Sequence, residues 1–234
     1  MPRDEFYIGY LPKAPPKTAR FRSRVVAVVL LLAFGVVALV ASTQKTLPPG
    51  TFEFGVDTEV GGLIATTATP ILLSRDHAYL LVGVGKFGWT PPDEPALQVT
   101  GSVIEANGLQ MIEVHETTPG DAASTEADFV VERDSVTLFG ELVDTKCYLG
   151  VMRPATGKVH RACAVRCLSG GIPPGLLVRI GEGESRVYVL EGSDGGQLDY
   201  DVQWAGLTVR VEGTIGSLAG VPILRATQLA RYDE

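Results

Sequence analysis

Eighteen consecutive uncharged residues, Val25 to Ser42 (VVAVVLLLAFGVVALVAS), separate a short polar head from a long body. At 1.5 Å per residue the run predicts a helix of roughly 27 Å, about one hydrocarbon core. Residues 1–24 then read as a juxtamembrane tail, 25–42 as a transmembrane helix and 43–50, with Pro48, Pro49 and Gly50, as a linker. Pro12, Pro15 and Pro16 oppose a helix through the middle of the tail. Past Gly50 the apolar period changes. Phe52 to Val56 alternates, and Ala78–Val82, Leu97–Val103 and Met111–Val114 are short apolar runs bounded by glycine and proline turns, which predicts strands. Residues 117–128 (TTPGDAASTEAD) show no apolar period and read as a second linker.

The second half of the body repeats the plan of the first. Phe54–Thr58 resembles Phe139–Thr145, and Thr69–Leu73 resembles Pro174–Val178. Ala78–Gly83 resembles Val187–Gly192, and Ala96–Val103 resembles Gly206–Ile215. Two copies of one β module are predicted, at 51–116 and 129–234. Several short strands with one helix between early strands is the pattern of a small OB-like barrel. The expected fold is therefore mainly β: one N-terminal transmembrane helix and two OB-like barrels, the second carrying an inserted helix between Lys146 and Pro174. Gly170 and Gly171 would close that helix and Pro173-Pro174 would prevent its return.

Charge adds a direction. Up to Arg24 there are six basic and two acidic residues; of 20 basic and 27 acidic residues in all, 14 and 25 remain for the rest, a net of −11. An acidic body repels phosphate backbones, which excludes nucleic acid as a partner. The basic cluster before the apolar run places the N-terminus in the cytoplasm and the body on the periplasmic or extracellular side. Val40-Ala41-Ser42 offers a competing signal-peptide cleavage site, but the leading segment is long for that role, and a retained anchor is favoured. Phe6, Tyr7 and Tyr10 suit either lipid headgroups or docking to another membrane subunit.

The chemistry is concentrated in one stretch. All three cysteines fall between Val143 and Gly175: Cys147, then His160, Cys163 and Cys167 in the pattern HxxCxxxC. On a helix the last three share one face, within about 60° of arc. Two readings compete. The four residues bind one metal ion, with thiolate and imidazole donors that suit zinc or copper(I), and with Met152 in reach as a thioether. Alternatively Cys147 pairs with Cys163 or Cys167 as a disulfide staple and the third thiol is buried. A weaker alternative is a thiol redox enzyme using Cys163 or Cys167 with His160. Asp144 and Lys146, which flank Cys147, could tune a thiol, but a solvated strand end is the favoured reading; Arg161 and Arg166 read as a solvated face or a patch for an acidic partner. His77 and His115 lack neighbouring ligands and read as ordinary surface or core histidines.

Other chemistries drop out. There is no CxxCH for covalent c-type haem, no CxxC dithiol and no second histidine for a Rieske centre. Gly83-Val-Gly85-Lys-Phe-Gly88 matches GxGxxG, but Trp89-Thr90-Pro91-Pro92 follows where a helix should start, so it reads as a hairpin turn and not a nucleotide site.

Gly140, Asp144, Cys147-Tyr148, His160, Cys163-Ala164, Cys167, Gly171, Pro173 and Leu176-Leu177 form a specific motif. In it the second module resembles a family of largely uncharacterised bacterial exported or membrane-anchored proteins, over residues 138–192. The resemblance implies an exported OB-like domain in which Cys147, His160, Cys163 and Cys167 make one site. It implies no activity. The expectation is a membrane-anchored, metal-binding accessory or assembly protein of a membrane redox system, with an accessory role favoured over an enzymatic one and a membrane subunit as partner. The alternative is a structural subunit whose cysteines only staple the fold.

Overall fold

A computed structural model describes residues 15–43, 50–121, 129–181 and 184–232. Phe6, Tyr7, Tyr10 and Pro12 of the tail, most of the 43–50 linker and the 122–128 part of the second linker lie outside the described residues.

Two compact units divide at Leu47/Pro48. The first contains helix α1 (Pro16–Thr43), no residue of which is buried. It begins earlier than the apolar run. Pro16 takes the first helical position, where its missing N–H costs nothing, so the tail prolines start the helix and the basic residues 17–24 are helical. It is long and apolar enough to cross a membrane, a test that a signal sequence near the N-terminus also passes.

The second unit is built of strands. The first barrel uses β2 (Thr58–Thr66), β3 (Pro70–Leu73), β4 (Ala78–Val82), β5 (Ala96–Ala106) and β6 (Leu109–Pro119), with a short β1 (Gly50–Phe52) paired to β5. The second uses β7 (Phe129–Asp144), β8 (Pro174–Arg179), β9 (Ser185–Gly192), β10 (Thr208–Leu218) and β11 (Val221–Arg231). Both close in the same way. The first three strands form an antiparallel meander, the third pairs in parallel with the fifth, and the fourth bridges the fifth and the first. This is the OB-like arrangement, present twice.

Three of the four sequence correspondences fall on equivalent strands. The first does not: residues 54–57 lie in the turn before β2, whereas Phe139–Asp144 ends β7. Register supplies the true equivalence. Thr66 faces Pro70 across β2–β3, and Asp144 faces Pro174 across β7–β8. Residues 67–69 of the first barrel are thus replaced by 145–173 in the second. Thr145 closes the base of this insertion, donating its N–H (3.2 Å) and its hydroxyl (2.9 Å) to the Pro173 carbonyl. β6 also reaches Pro119, so the predicted linker begins as strand.

Strands β3, β4, β8 and β9 read as unbroken apolar runs because both of their faces are buried. Alternate residues enter different clusters. Leu72 and Leu81 pack with Val99 and Ile112 of their own barrel, and Leu176 and Leu190 with Val209 and Leu224 of theirs. Ile71, Leu80 and Met111 instead join Val143, Val189 and Ile223 in a cluster shared by the two barrels. Cys147 and Cys167 belong to that shared cluster, so the cysteine segment lies along the seam.

Candidate metal centre

The insertion delivers its thiols from two short helical pieces. β7 ends at Asp144 and turns at once into a π-helical turn, Cys147–Val151. Asp144 makes this possible: its Oδ1 accepts the Cys147 N–H at 2.8 Å, satisfying a donor at the start of the turn as an N-cap does. Helix α2 (Arg161–Ser169) follows, with His160 as its N-cap residue. Ala164, Cys167 and Leu168 are its buried face, and Cys163 is half-buried. Gly170 caps the helix, its N–H donating to the Arg166 and Cys167 carbonyls, and Gly171 turns away with φ +92°.

The sulfurs of Cys147, Cys163 and Cys167 lie within 4.8 Å of one another. The Cys147 and Cys167 Sγ atoms are 4.0 Å apart, and all three thiols are free. His160 falls in a neighbouring group with Asp144 and Cys147. Its Nε2 is 2.9 Å from Asp144 Oδ2, and both residues are buried. The four residues singled out in the sequence are therefore gathered in one place, but as a three-sulfur cluster and an adjoining His–Asp pair that share Cys147.

Two flanking residues differ from expectation. Asp144 (0 % exposed) and Lys146 (1 % exposed) are not a solvated strand end. Asp144 is spoken for by Cys147 and His160. Lys146 reaches out of the second barrel to ion-pair with Glu113 of β6, and its Nζ donates to the Gly83 carbonyl at 2.8 Å and the Gly85 carbonyl at 2.7 Å. A buried ammonium needs such partners, since an unpaired one would cost several kcal/mol. His115, read as an ordinary histidine, extends the network outward, with Nδ1 2.6 Å from Asp57 and Nε2 3.7 Å from Glu113.

The 83–88 segment is the turn that the sequence suggested: Gly83 N–H donates to the Phe87 carbonyl, and Gly85 has φ +70°. Its role is new. Gly88 N–H donates to the Gly170 carbonyl at 2.8 Å, so the turn rests on the end of α2. That contact brings Lys86 Nζ to 2.7 Å from Cys163 Sγ and 4.0 Å from Cys167 Sγ. Lys86 was missed because it lies 77 positions from Cys163, in the barrel without cysteines. Asp144 left a clearer signal, an Asp three residues before the start of a helical turn.

The electrostatics separate the thiols. Cys147 is pushed far up, first by the hydrogen bond that it shares with Cys167 and then by burial and the Asp144 charge. Cys167 is lowered to about 7, first by that same bond and, among smaller causes, by the Lys86 charge. Lys86 is raised, chiefly by its bond to Cys163. Of the two hydrogen-bonded sulfurs, Cys147 is thus the one that keeps its proton, and Cys167 is the one that ionises near neutral pH, with the Lys86 cation nearby.

No family model, no curated protein and no solved structure matches this chain.

Proposed function

We propose that the chain is a membrane-anchored accessory protein whose body holds one soft metal ion, copper(I) in preference to zinc, on Cys147, Cys163 and Cys167. The observation that carries this is the convergence of three sulfurs within 4.8 Å. A metal with bonds of about 2.3 Å to sulfur sets its ligands about 3.8–4.0 Å apart. The Cys147–Cys167 separation of 4.0 Å matches that span without rearrangement. Among the described residues the three sulfurs form a group that does not include His160, and three thiolates suit monovalent copper, because structural zinc takes four ligands. His160 Nε2 is committed to Asp144. His160 then supports the site by fixing Asp144, which in turn fixes the Cys147 backbone.

The half-buried Cys163 leaves a route for an ion to enter and leave, as a carrier or assembly factor requires. Helix α1 would tether this site to a bilayer, with the basic residues 17–24 on the cytoplasmic side and the body outside. A partner membrane subunit of a redox system would take the ion. The test is metal analysis of the full chain purified anaerobically in detergent. We expect one equivalent of copper(I), lost in Cys163→Ser and kept in His160→Ala. A metal-free protein carrying a Cys147–Cys167 disulfide would overturn the reading and leave the segment a staple.

A further inference from the structure

We propose that Lys86 and Cys163 form a modification site, an oxygen-bridged covalent link (Nζ–O–Sγ) made by dioxygen and undone by thiols. The two atoms are 2.7 Å apart. That is shorter than the roughly 2.9 Å of an ordinary N–H···O bond, although sulfur is larger than oxygen. It is too long for a direct nitrogen–sulfur bond. One bridging atom spans it without moving either residue.

The surroundings hold the pair together and open it to oxidant. Lys146 grips the Gly83 and Gly85 carbonyls, Gly85 N–H donates to Glu113 at 3.2 Å, and Gly88 is tied to Gly170. A Cβ at Gly170 would collide with the Lys86 carbonyl, so the turn seats against bare backbone. Lys86 and Cys163 are both half-buried, whereas Cys147 and Cys167 are buried. Cys163 is therefore the thiol that a dissolved oxidant meets first. Its neighbour Cys167 stands one helical turn away, and bridging the two would strain the helix. The amine is the better-placed capture group.

The balance closes on the hydrogen-bonded pair. Amine, thiol and dioxygen give the bridge and one water. One oxygen atom is inserted between nitrogen and sulfur, the other leaves as water with one proton from the amine and one from the thiol, and nitrogen and sulfur each lose two electrons.

The inference does not depend on metal binding, and the experiment uses metal-free protein. The full chain in detergent is exposed to air, digested with trypsin and mapped by mass spectrometry. We expect a joined peptide linking Lys86 to Cys163, heavier than its two parts by one oxygen less two hydrogens. Cleavage after Lys86 should be lost, and dithiothreitol should restore both. Lys86→Met abolishes the joined peptide; Cys167→Ser retains it. Finding no joined peptide, one without the added oxygen, or Cys163 in a disulfide would overturn the link and leave the metal reading standing. Finding the link in a protein that binds no metal when reduced would overturn only the metal reading.

Discussion

Lys146 decides more at this site than its position beside a cysteine suggests. It is almost wholly buried, it belongs to the second barrel, and all of its charge is spent on Glu113 and on two carbonyls of the first. Removing one member of such a pair leaves the other charge stranded, at a cost of about 3–5 kcal/mol, whereas replacing both with apolar groups of similar size is close to neutral. Lys146→Met should therefore lower the unfolding free energy by about 3 kcal/mol, and Lys146→Met with Glu113→Leu should recover most of the loss. Urea denaturation of the three proteins checks this. A single variant as stable as wild type would show that the pair does not join the barrels. None of this was legible in the sequence. A lysine at a strand end is usually solvated, and its partner Glu113 is 33 positions away.

At the scale of elements, the sequence is a better guide to what is local. The HxxCxxxC spacing, Gly170-Gly171 and Pro173-Pro174 describe α2 and its end, because helix faces and caps are set within a few residues. The paired runs of β3 with β8, β4 with β9 and β5 with β10 were visible for the same reason. The Phe54–Thr58 match failed because a shared Phe-Gly and Asp-Thr carries no information about pairing; the register opposite Pro70 and Pro174 does. The turn at 83–88 was recognisable as a turn, but its docking on α2 was not, since that rests on two glycines lying against backbone. Gly170→Ala tests the docking. A Cβ there meets the Lys86 carbonyl, and overpacking of this kind costs about 1–3 kcal/mol. The turn should lift, with faster amide exchange at 83–88 and a destabilisation of that size, while α2 stays protected. Unchanged exchange at 83–88 would mean that the turn does not depend on the helix end.

On the scale of the whole molecule, two barrels of identical topology share a buried cluster, and the cysteine segment of one is completed by a turn of the other. A duplicated module that merely sat on a tether would need no such division. The apolar faces of β3, β4, β8 and β9 that meet at the seam would each be exposed in an isolated barrel. Each large side chain returned to water there costs about 1.5–3 kcal/mol, and a domain is stable by only about 5–15 kcal/mol. The body should therefore unfold as one unit. The two tryptophans make this measurable, since Trp89 belongs to the first barrel and packs with its core, and Trp204 packs with the second. In Trp204→Phe the fluorescence reports the first barrel, and in Trp89→Phe the second. Both should follow one denaturant transition, coincident with the loss of far-ultraviolet circular dichroism. Two separated midpoints would show that each barrel stands alone. The seam would then be a contact that opens, and the thiol cluster, which draws Lys86 from one side and its sulfurs from the other, would open with it.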